Sequence, residues 1–284
     1  MVLEQEGRHF DLSQGFEHAR HGDVLDLVDR GVFEPRSGVE EGSAQRAPVA
    51  APVETLTPID PRLVGKILAL TGTPRELFER RAAGDSCRWF SNRSPATLAA
   101  NGTPLAIEGL AESDPTLDLQ PAVVRHDCFL AVVISRRASG VAVEDAPNFV
   151  AGYTLASDFT RRTLDGRPRT AWFCESPVGM LTLGPAFVPS RSLDLAEARV
   201  TAQRTRGERS EPEVARCFDL ASDVALAVAA LSRLAILHPG DLVLVPTGVG
   251  LGVVEGGDVV RCELEGIGEL VTSVRRRALL RQQA

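Results

Sequence analysis

The sequence predicts an α+β fold that is rich in β-strands and carries a small subdomain at its N-terminus. From Lys66 onward, short apolar runs rich in Val, Ile and Leu alternate with Gly and Pro turns, which is the pattern of β-strands. Residues 213–236 instead repeat apolar side chains at three- and four-residue steps, as an amphipathic helix does. Residues 34–56 are rich in Pro, Ala, Ser and Glu and show neither the strand pattern nor the helical repeat, which indicates a linker.

The 284 residues therefore divide into two predicted units. Residues 1–56 comprise a small N-terminal subdomain, with a helix-like stretch at Gly22–Val28, and the linker that follows it. Residues 57–284 form the main domain. With 284 residues, 44% of them apolar, the chain can bury a large core.

Each element of the main domain has its own local signal. The helix is predicted to begin at a capping box formed by Ser210 and Glu213 and to end before Pro239 and Gly240. Its single apolar face predicts packing against a sheet. The strands are predicted in the segments KILALTG (66–72), PLAIEG (104–109) and Phe129–Ile134.

The charge and the cysteine content exclude several classes of protein. A net charge of −7 and a pI of about 5.4 provide no positive field for nucleic acid. Five cysteines without paired spacing fit a reducing compartment better than a disulfide framework or a zinc site. No apolar run approaches the roughly 18 residues of a membrane span, and the first ten residues contain no signal core. We therefore expect a cytoplasmic protein with a small-molecule substrate and neither nucleic acid nor a membrane as partner.

The most informative segment is residues 238–274. Two units of Gly-Asp followed by an apolar strand frame a glycine-rich turn, Pro246–Gly250, and the segment closes on the Glu-Gly-Ile-Gly turn at 265–268. This pattern resembles the C-terminal end of the fumarylacetoacetate hydrolase family. In that family the loop presents a hydroxyl and backbone N–H groups to a substrate oxygen, so the resemblance implies a substrate-binding role for Thr247 and Gly248.

Three further segments resemble the same family. They are residues 57–70, which match its entry strand, residues 149–162, which read FVAGYTLASDFTRR, and the turn at Leu183–Pro185. The resemblance extends from about residue 57 to residue 275. It implies a mixed β-roll or sandwich behind a small N-terminal subdomain, and it implies a homodimer.

The resemblance also implies a metal site, which this sequence alters. Family members bind magnesium or manganese through two Glu residues at alternate positions of one strand and through an Asp on another segment. Alternate strand residues face the same side, and such hard cations prefer carboxylate oxygens. Here Asp127 stands at the first position, Phe129 at the second and Asp158 at the third. We therefore predict no cofactor, with magnesium or manganese bound weakly at most, and a hydrophobic wall at Phe129.

Other catalytic positions of the family are also replaced. Leu77 falls where the family has the histidine that helps to activate water, and Glu175 falls where it has a lysine. Two carboxylates in one partly apolar pocket shift each other's pKa, so Asp127 and Asp158 are candidates for a metal-free acid/base pair. Alternatively, Asp158 caps a helix-like turn that follows it. Glu175 is a third catalytic candidate, or else a solvated loop residue.

Three more residues are candidates for substrate binding. Arg162 could hold a carboxylate or enolate through its fork of donors, or form a salt bridge to Glu175 or Asp127. Arg93 could contact an acidic substrate, or belong to a surface loop anchored by Trp89. Tyr153, the only tyrosine, occupies a family motif position and could line the site or serve the structure.

In the same predicted strand, His126 precedes Asp127. Because adjacent strand residues point to opposite faces, we predict that His126 lies outside the pocket.

Together these residues favour a divergent enzyme of the family that performs metal-independent acid/base chemistry on a small carbonyl or β-dicarbonyl compound. Isomerisation, dehydration, decarboxylation or cyclisation would each fit, in a setting such as bacterial specialised metabolism. Two alternatives stay open at this point. One is a non-catalytic binding or scaffold protein of the same fold, and the other is a residual hydrolase of C–C bonds.

Overall fold

A computed structural model describes residues 2–5, 8–11, 47–48, 58–82, 90–107, 122–163, 180–211 and 214–275. The predicted fold class is confirmed, because strands dominate these residues. The two α-helices within them are α1 (Pro74–Ala82) and α2 (Leu220–Leu234). The strands are β1 (Val2–Gln5), β2 (Arg8–Asp11), β3 (Ala47–Pro48), β4 (Ile67–Leu70), β5 (Phe90–Arg93), β6 (Leu98–Ala100), β7 (Leu105–Ala106), β8 (Ala122–Ile134), β9 (Val150–Thr163), β10 (Leu181–Pro189), β11 (Ala198–Arg206), β12 (Arg209–Ser210), β13 (Val214–Phe218), β14 (Leu242–Pro246), β15 (Gly252–Val254), β16 (Asp258–Leu264) and β17 (Gly268–Arg275).

An eight-stranded mixed sheet forms the frame of the main domain. Its strand order is β5-β4-β14-β8-β9-β10-β6, and β15 pairs with the outer end of β8. The two edge strands, β5 and β6, are consecutive in sequence and are joined by the short turn Ser94–Thr97, where Ser94 caps a 3-10 helix. The sheet therefore curls so that its edges approach each other, which gives the expected roll.

One face of this sheet lines the inside of the roll and is apolar over most of its length. The strands alternate between the two faces, so every second residue of β8, β9 and β14 contributes to this interior. The interior cluster consists of Ile59, Val64, Ile67, Ala69, Leu98, Phe129, Ala131, Val133, Ala151, Ala156, Leu181, Leu183, Leu242 and Leu244.

The outer face of the same sheet packs on a second sheet and on α2. The second sheet has the order β12-β11-β16-β17-β7, with β13 also paired to β11. Helix α2 contributes Leu220, Val224 and Val228 to the core between these layers, as its predicted apolar face requires. The larger of the two apolar cores thus lies outside the roll, and the smaller one lies inside it.

The predicted start of the long helix is wrong. Residues 214–218 form strand β13, which pairs antiparallel with β11. The helix begins only at Leu220, after Asp219, whose carboxylate accepts hydrogen bonds from the Ser222 N–H at 3.0 Å and the Ser222 hydroxyl at 2.5 Å. The apolar spacing of the strand continues the helical period, so that period alone could not separate the two elements.

The N-terminal strands form a separate three-stranded antiparallel sheet in the order β1-β2-β3. Strand β3 comes from the predicted linker, because residues 47–48 pair with Phe10 and Asp11. The boundary at residue 56 stays a prediction, and the helix-like stretch Gly22–Val28 lies outside the described residues. Among the residues that are described, no helix is long and apolar enough to cross a membrane.

Candidate active site

Asp127 and Asp158, the two predicted catalytic carboxylates, lie directly opposite each other on the neighbouring antiparallel strands β8 and β9. Opposed residues of such a ladder have Cβ atoms about 5 Å apart, so both carboxylates belong to one site. On its other side Asp158 is opposite Leu181, which belongs to the apolar interior of the roll. Because Asp158 lies in the middle of a strand, the alternative that it caps a helical turn is wrong.

Arg93 holds Asp158 through two hydrogen bonds. Its Nε donates to Oδ1 at 3.2 Å and its Nη2 donates to Oδ2 at 2.7 Å, while Nη1 donates to the hydroxyl of Ser91 at 2.6 Å. Arg93 is the last residue of strand β5 and is only 4% exposed, so the surface-loop alternative for it is wrong.

This ion pair depends on the curl of the sheet. Strands β5 and β9 are four steps apart in the strand order, which would separate them by about 19 Å in a flat sheet. An arginine side chain cannot span that distance. Arg93 therefore reaches Asp158 across the interior of the roll, and the site lies at the polar end of that interior.

The two aspartates differ in their surroundings. Asp158 is 2% exposed, whereas Asp127 is open to solvent. Although Asp127 reaches solvent, the protein around it removes part of its hydration; this and, second, the negative charge of Asp158 raise the pKa of the Asp127 carboxyl. The guanidinium groups of Arg125, Arg162 and Arg93 oppose this rise. A carboxyl that is both accessible and shifted in this direction is suited to accept and return a proton.

The glycine-rich loop after β14 is fastened to strand β8. The backbone N–H and the hydroxyl of Thr247 both donate to the Cys128 carbonyl, at 3.2 and 2.8 Å, and the Cys128 N–H donates to the Val249 carbonyl at 2.9 Å. Thr247 is fully buried, so its hydroxyl anchors the loop instead of facing a substrate as the resemblance implied. Gly248, with a φ of 64°, is exposed and stays a candidate for contact with substrate.

The residues present do not fit the divalent cation that the family resemblance implies. Phe129 is 7% exposed, lies opposite Ala156 and Pro246, and contributes an apolar ring where a carboxylate would be needed. Both oxygens of Asp158 are already hydrogen-bonded to Arg93. Within the described part of the chain, no group of three or more His, Cys, Asp or Glu side chains could hold a metal ion.

Arg162 lies on the same face of β9 as Asp158 and is exposed. Two residues near it were missed by sequence reasoning. Arg125 is exposed two positions before Asp127, which puts its guanidinium on the same face as Arg162. Thr160 lies opposite Arg125, is 3% exposed, and its hydroxyl has no hydrogen-bond partner among the described residues. Strand alternation counted from Asp158 and Asp127 would have found both.

Tyr153 does not lie with the other candidates. It is five positions before Asp158 in the same strand, so it points to the opposite face, into the core between the two sheets. Burial raises the pKa of its hydroxyl to about 12. The family motif at residues 149–162 suggested that Tyr153 could bind substrate. Its position shows that it serves the structure instead.

His126 also lies on that opposite face, so its predicted position outside the pocket is confirmed. It is fully buried, its Nε2 lies 2.7 Å from the Ser157 hydroxyl, and its ring packs against Phe159. Leu77, in place of the family histidine, is part of the apolar core at 1% exposure. Glu175, the third predicted catalytic residue, lies outside the described residues.

This roll and the motifs that line it define a class of protein. The family model described as the C-terminal part of fumarylacetoacetate hydrolase matches residues 69–275, and the chain belongs to that family.

Among curated proteins, a maleylpyruvate hydrolase of Aquipseudomonas alcaligenes is 32% identical over 150 residues, which are 53% of this chain and 50% of that protein. A mitochondrial oxaloacetate tautomerase of Bos taurus is 27% identical over 282 residues, 92% of this chain and 86% of that protein. The chain thus spans about half the length of the hydrolase and most of the tautomerase.

Solved structures share the fold over nearly the whole chain. A fumarylacetoacetate hydrolase from Exiguobacterium antarcticum has a TM-score of 0.72 at 20% identity, covering 97% of this chain and 95% of that one. A maleylpyruvate hydrolase from Sphingobium sp. SYK-6, solved with manganese(II) and pyruvate, has a TM-score of 0.70 at 20% identity with the same coverage. At this level of identity the likeness shows the fold alone.

Proposed function

We propose that the chain is a cytoplasmic enzyme of this family that performs metal-independent acid/base chemistry on a small carbonyl or β-dicarbonyl acid. The observation that carries the proposal is the opposed pair of Asp127 and Asp158, with Arg93 bound to Asp158. Isomerisation, dehydration, decarboxylation and cyclisation all belong to this class of reaction. Bacterial specialised metabolism is the setting we favour, because positions that hydrolysis needs in the family are replaced here while both aspartates of the site are present.

Asp127 is the proposed proton carrier. It removes a proton from the carbon beside the carbonyl and returns a proton to another atom of the resulting enolate, so that a tautomerisation or isomerisation balances within one molecule. Its raised pKa and its exposure support this role. Phe129 beside it keeps one side of the site apolar.

Arg162 and Arg125 are the proposed contacts for an anionic end of the substrate. Both guanidinium groups are exposed on the site's face of the sheet, where they can donate paired hydrogen bonds to a carboxylate. Hydrolysis is less well supported, because Leu77 is buried where a water-activating histidine would be required.

The test is proton exchange in deuterated water with a panel of α-keto and β-dicarbonyl acids that includes oxaloacetate and maleylpyruvate, the compounds named for the relatives. Proton NMR would follow both exchange at the α-carbon and product formation. We expect the chelator-treated protein to retain its full rate and Asp127→Asn to lose about a hundredfold or more of it.

Two results would contradict the proposal. An Asp127→Asn protein with the unmodified rate would exclude Asp127 as the proton carrier. Binding of panel members by calorimetry, without exchange or product above the buffer rate, would favour the non-catalytic binding protein instead.

A further inference from the structure

Asp158, the residue at the third metal-ligand position of the family, is already bound by a positively charged side chain. Arg93 uses two donors on the two oxygens of Asp158, at 3.2 and 2.7 Å. A bidentate guanidinium covers the edge of a carboxylate through which a metal ion would bind, and its fixed positive charge repels a second cation. Phe129 is therefore not the only feature that opposes a metal here.

Arg93 is built into the fold instead of resting on its surface. It pairs with Ile67, and Ser91 pairs with Ala69, so both side chains share the roll's interior face with those two core residues. Ser91 is 7% exposed and accepts the third donor of Arg93 at 2.6 Å. Leaving this position would strip a buried carboxylate of its partner, which is costly in a poorly hydrated interior.

We propose that the guanidinium of Arg93 replaces the divalent cation of this site, neutralising Asp158 and keeping metal out. Asp127 is then the one carboxylate of the opposed pair that forms no ion pair with another described residue. Arg93 acts through Asp158 and is a positioning residue. Its effect on metal binding is independent of the proposed function, and its effect on turnover rests on that function.

Manganese binding tests the proposal without any substrate. Phe129→Glu restores the missing carboxylate but keeps Arg93, whereas Arg93→Gln/Phe129→Glu also removes the positive charge and leaves an amide to donate to Asp158. By calorimetry and manganese EPR of chelator-treated protein, we expect the double variant to bind manganese(II) at least about 100-fold more tightly than Phe129→Glu alone.

Two further variants separate charge from shape. Arg93→Lys/Phe129→Glu keeps a cation and is expected to bind as weakly as Phe129→Glu. Arg261→Met/Phe129→Glu removes a different arginine from a carboxylate, since Arg261 pairs with Glu269 at 2.9 Å on the surface of the second sheet, and it should also match Phe129→Glu.

Several outcomes would overturn the proposal. Tight manganese binding by Phe129→Glu alone would show that Arg93 does not exclude metal, and this result requires no change at Arg93. Tight binding by the lysine variant would show that charge is not the reason. Failure of a folded Arg93→Gln/Phe129→Glu protein to bind, with folding checked by circular dichroism, would also refute it.

Turnover gives the second readout. If Arg93 positions Asp158, then Arg93→Gln should lower kcat about 100-fold with a much smaller change in KM, and Arg93→Lys should recover part of kcat because it keeps the charge but not the paired donors. An unchanged kcat in a folded Arg93→Gln protein would show that Arg93 does not position Asp158 for catalysis. It would not affect the conclusion drawn from manganese binding.

Discussion

A Cβ atom at Gly250 would lie 2.6 Å from the Oδ1 atom of Asp127, and 2.9 Å from the backbone carbonyl oxygen of His126. Real side chains do not tolerate such contacts, and one of the two neighbours is backbone that cannot move aside. The loop that carries Gly250 cannot retreat freely either, because Thr247 fastens it to the Cys128 carbonyl. The absence of a side chain at this position thus sets the location of the Asp127 carboxylate.

We predict that Gly250→Ala displaces Asp127 and lowers kcat/KM by about tenfold to a hundredfold, since a shift of about 1 Å in a catalytic group has effects of this size. The free energy of unfolding should fall by about 1–3 kcal/mol from the overpacking. The matched control is Gly72→Ala, whose new Cβ would meet nothing closer than 3.4 Å. Equal kinetics for the two variants would contradict the prediction.

Replacing Asp158 should lower the free energy of unfolding much more than replacing Asp127. Asp158→Asn removes the negative charge that two donors of the buried Arg93 bind, so we expect a loss of about 3 kcal/mol in the free energy of unfolding. Asp127→Asn, at an exposed position beside a like charge, should change stability by less than about 1 kcal/mol. Urea unfolding of both proteins is the measurement. If the two variants lost similar free energies of unfolding, the Arg93–Asp158 ion pair would not be what stabilises this part of the fold.

Several strands of the roll, such as β4 and the second half of β8, could be predicted because their short apolar runs are rich in Val, Ile and Leu and are bounded by turn residues, and because alternate strand residues face the same side. The pair of Asp127 with Phe129 followed from the same alternation. Tyr153 and Asp158 belong to one sequence motif, which suggests a shared site, but an odd separation of five positions in a strand sends their side chains to opposite faces.

Two other features have weak local signals or none. Arg93 and Asp158 are 65 positions apart, and their contact exists only because the sheet curls until β5 faces β9. The start of α2 was hidden for a different reason. Strand β13 continues the apolar spacing of the helix, so the cap at Asp219 was the only local sign of the boundary.

The homodimer stays a prediction that solution measurements can settle. Family resemblance implies it, and the end of α2 exposes apolar surface at Leu234, which is 60% exposed, and near it at Ile236, which is 43% exposed. Light scattering at micromolar protein should give twice the chain mass of 30.4 kDa. A stable monomer mass over a dilution series down from that concentration would be the contrary result.

We expect the buried His126 to make the fold sensitive to acid. Its ring is fully buried between the sheets, its Nε2 atom contacts the Ser157 hydroxyl at 2.7 Å, and its Nδ1 atom has no hydrogen-bond partner among the described residues. Burial lowers the pKa of His126 to about 3. The folded protein therefore keeps this imidazole neutral at a pH where the unfolded chain, with a histidine pKa of about 6.5, has already taken up a proton.

The sign of the resulting pH dependence follows from proton binding. Below about pH 6.5 the unfolded state binds one more proton at this residue than the folded state, so stability is lost as the pH falls toward 3, by about 1.4 kcal/mol per unit. We predict that His126→Gln, which does not titrate but can still bond to Ser157, removes this slope from urea unfolding measured between about pH 6.5 and pH 4.5. His238→Gln changes an exposed histidine and should keep the slope of the unmodified protein. If the slope of His126→Gln matches that of His238→Gln, the acid sensitivity comes from other groups.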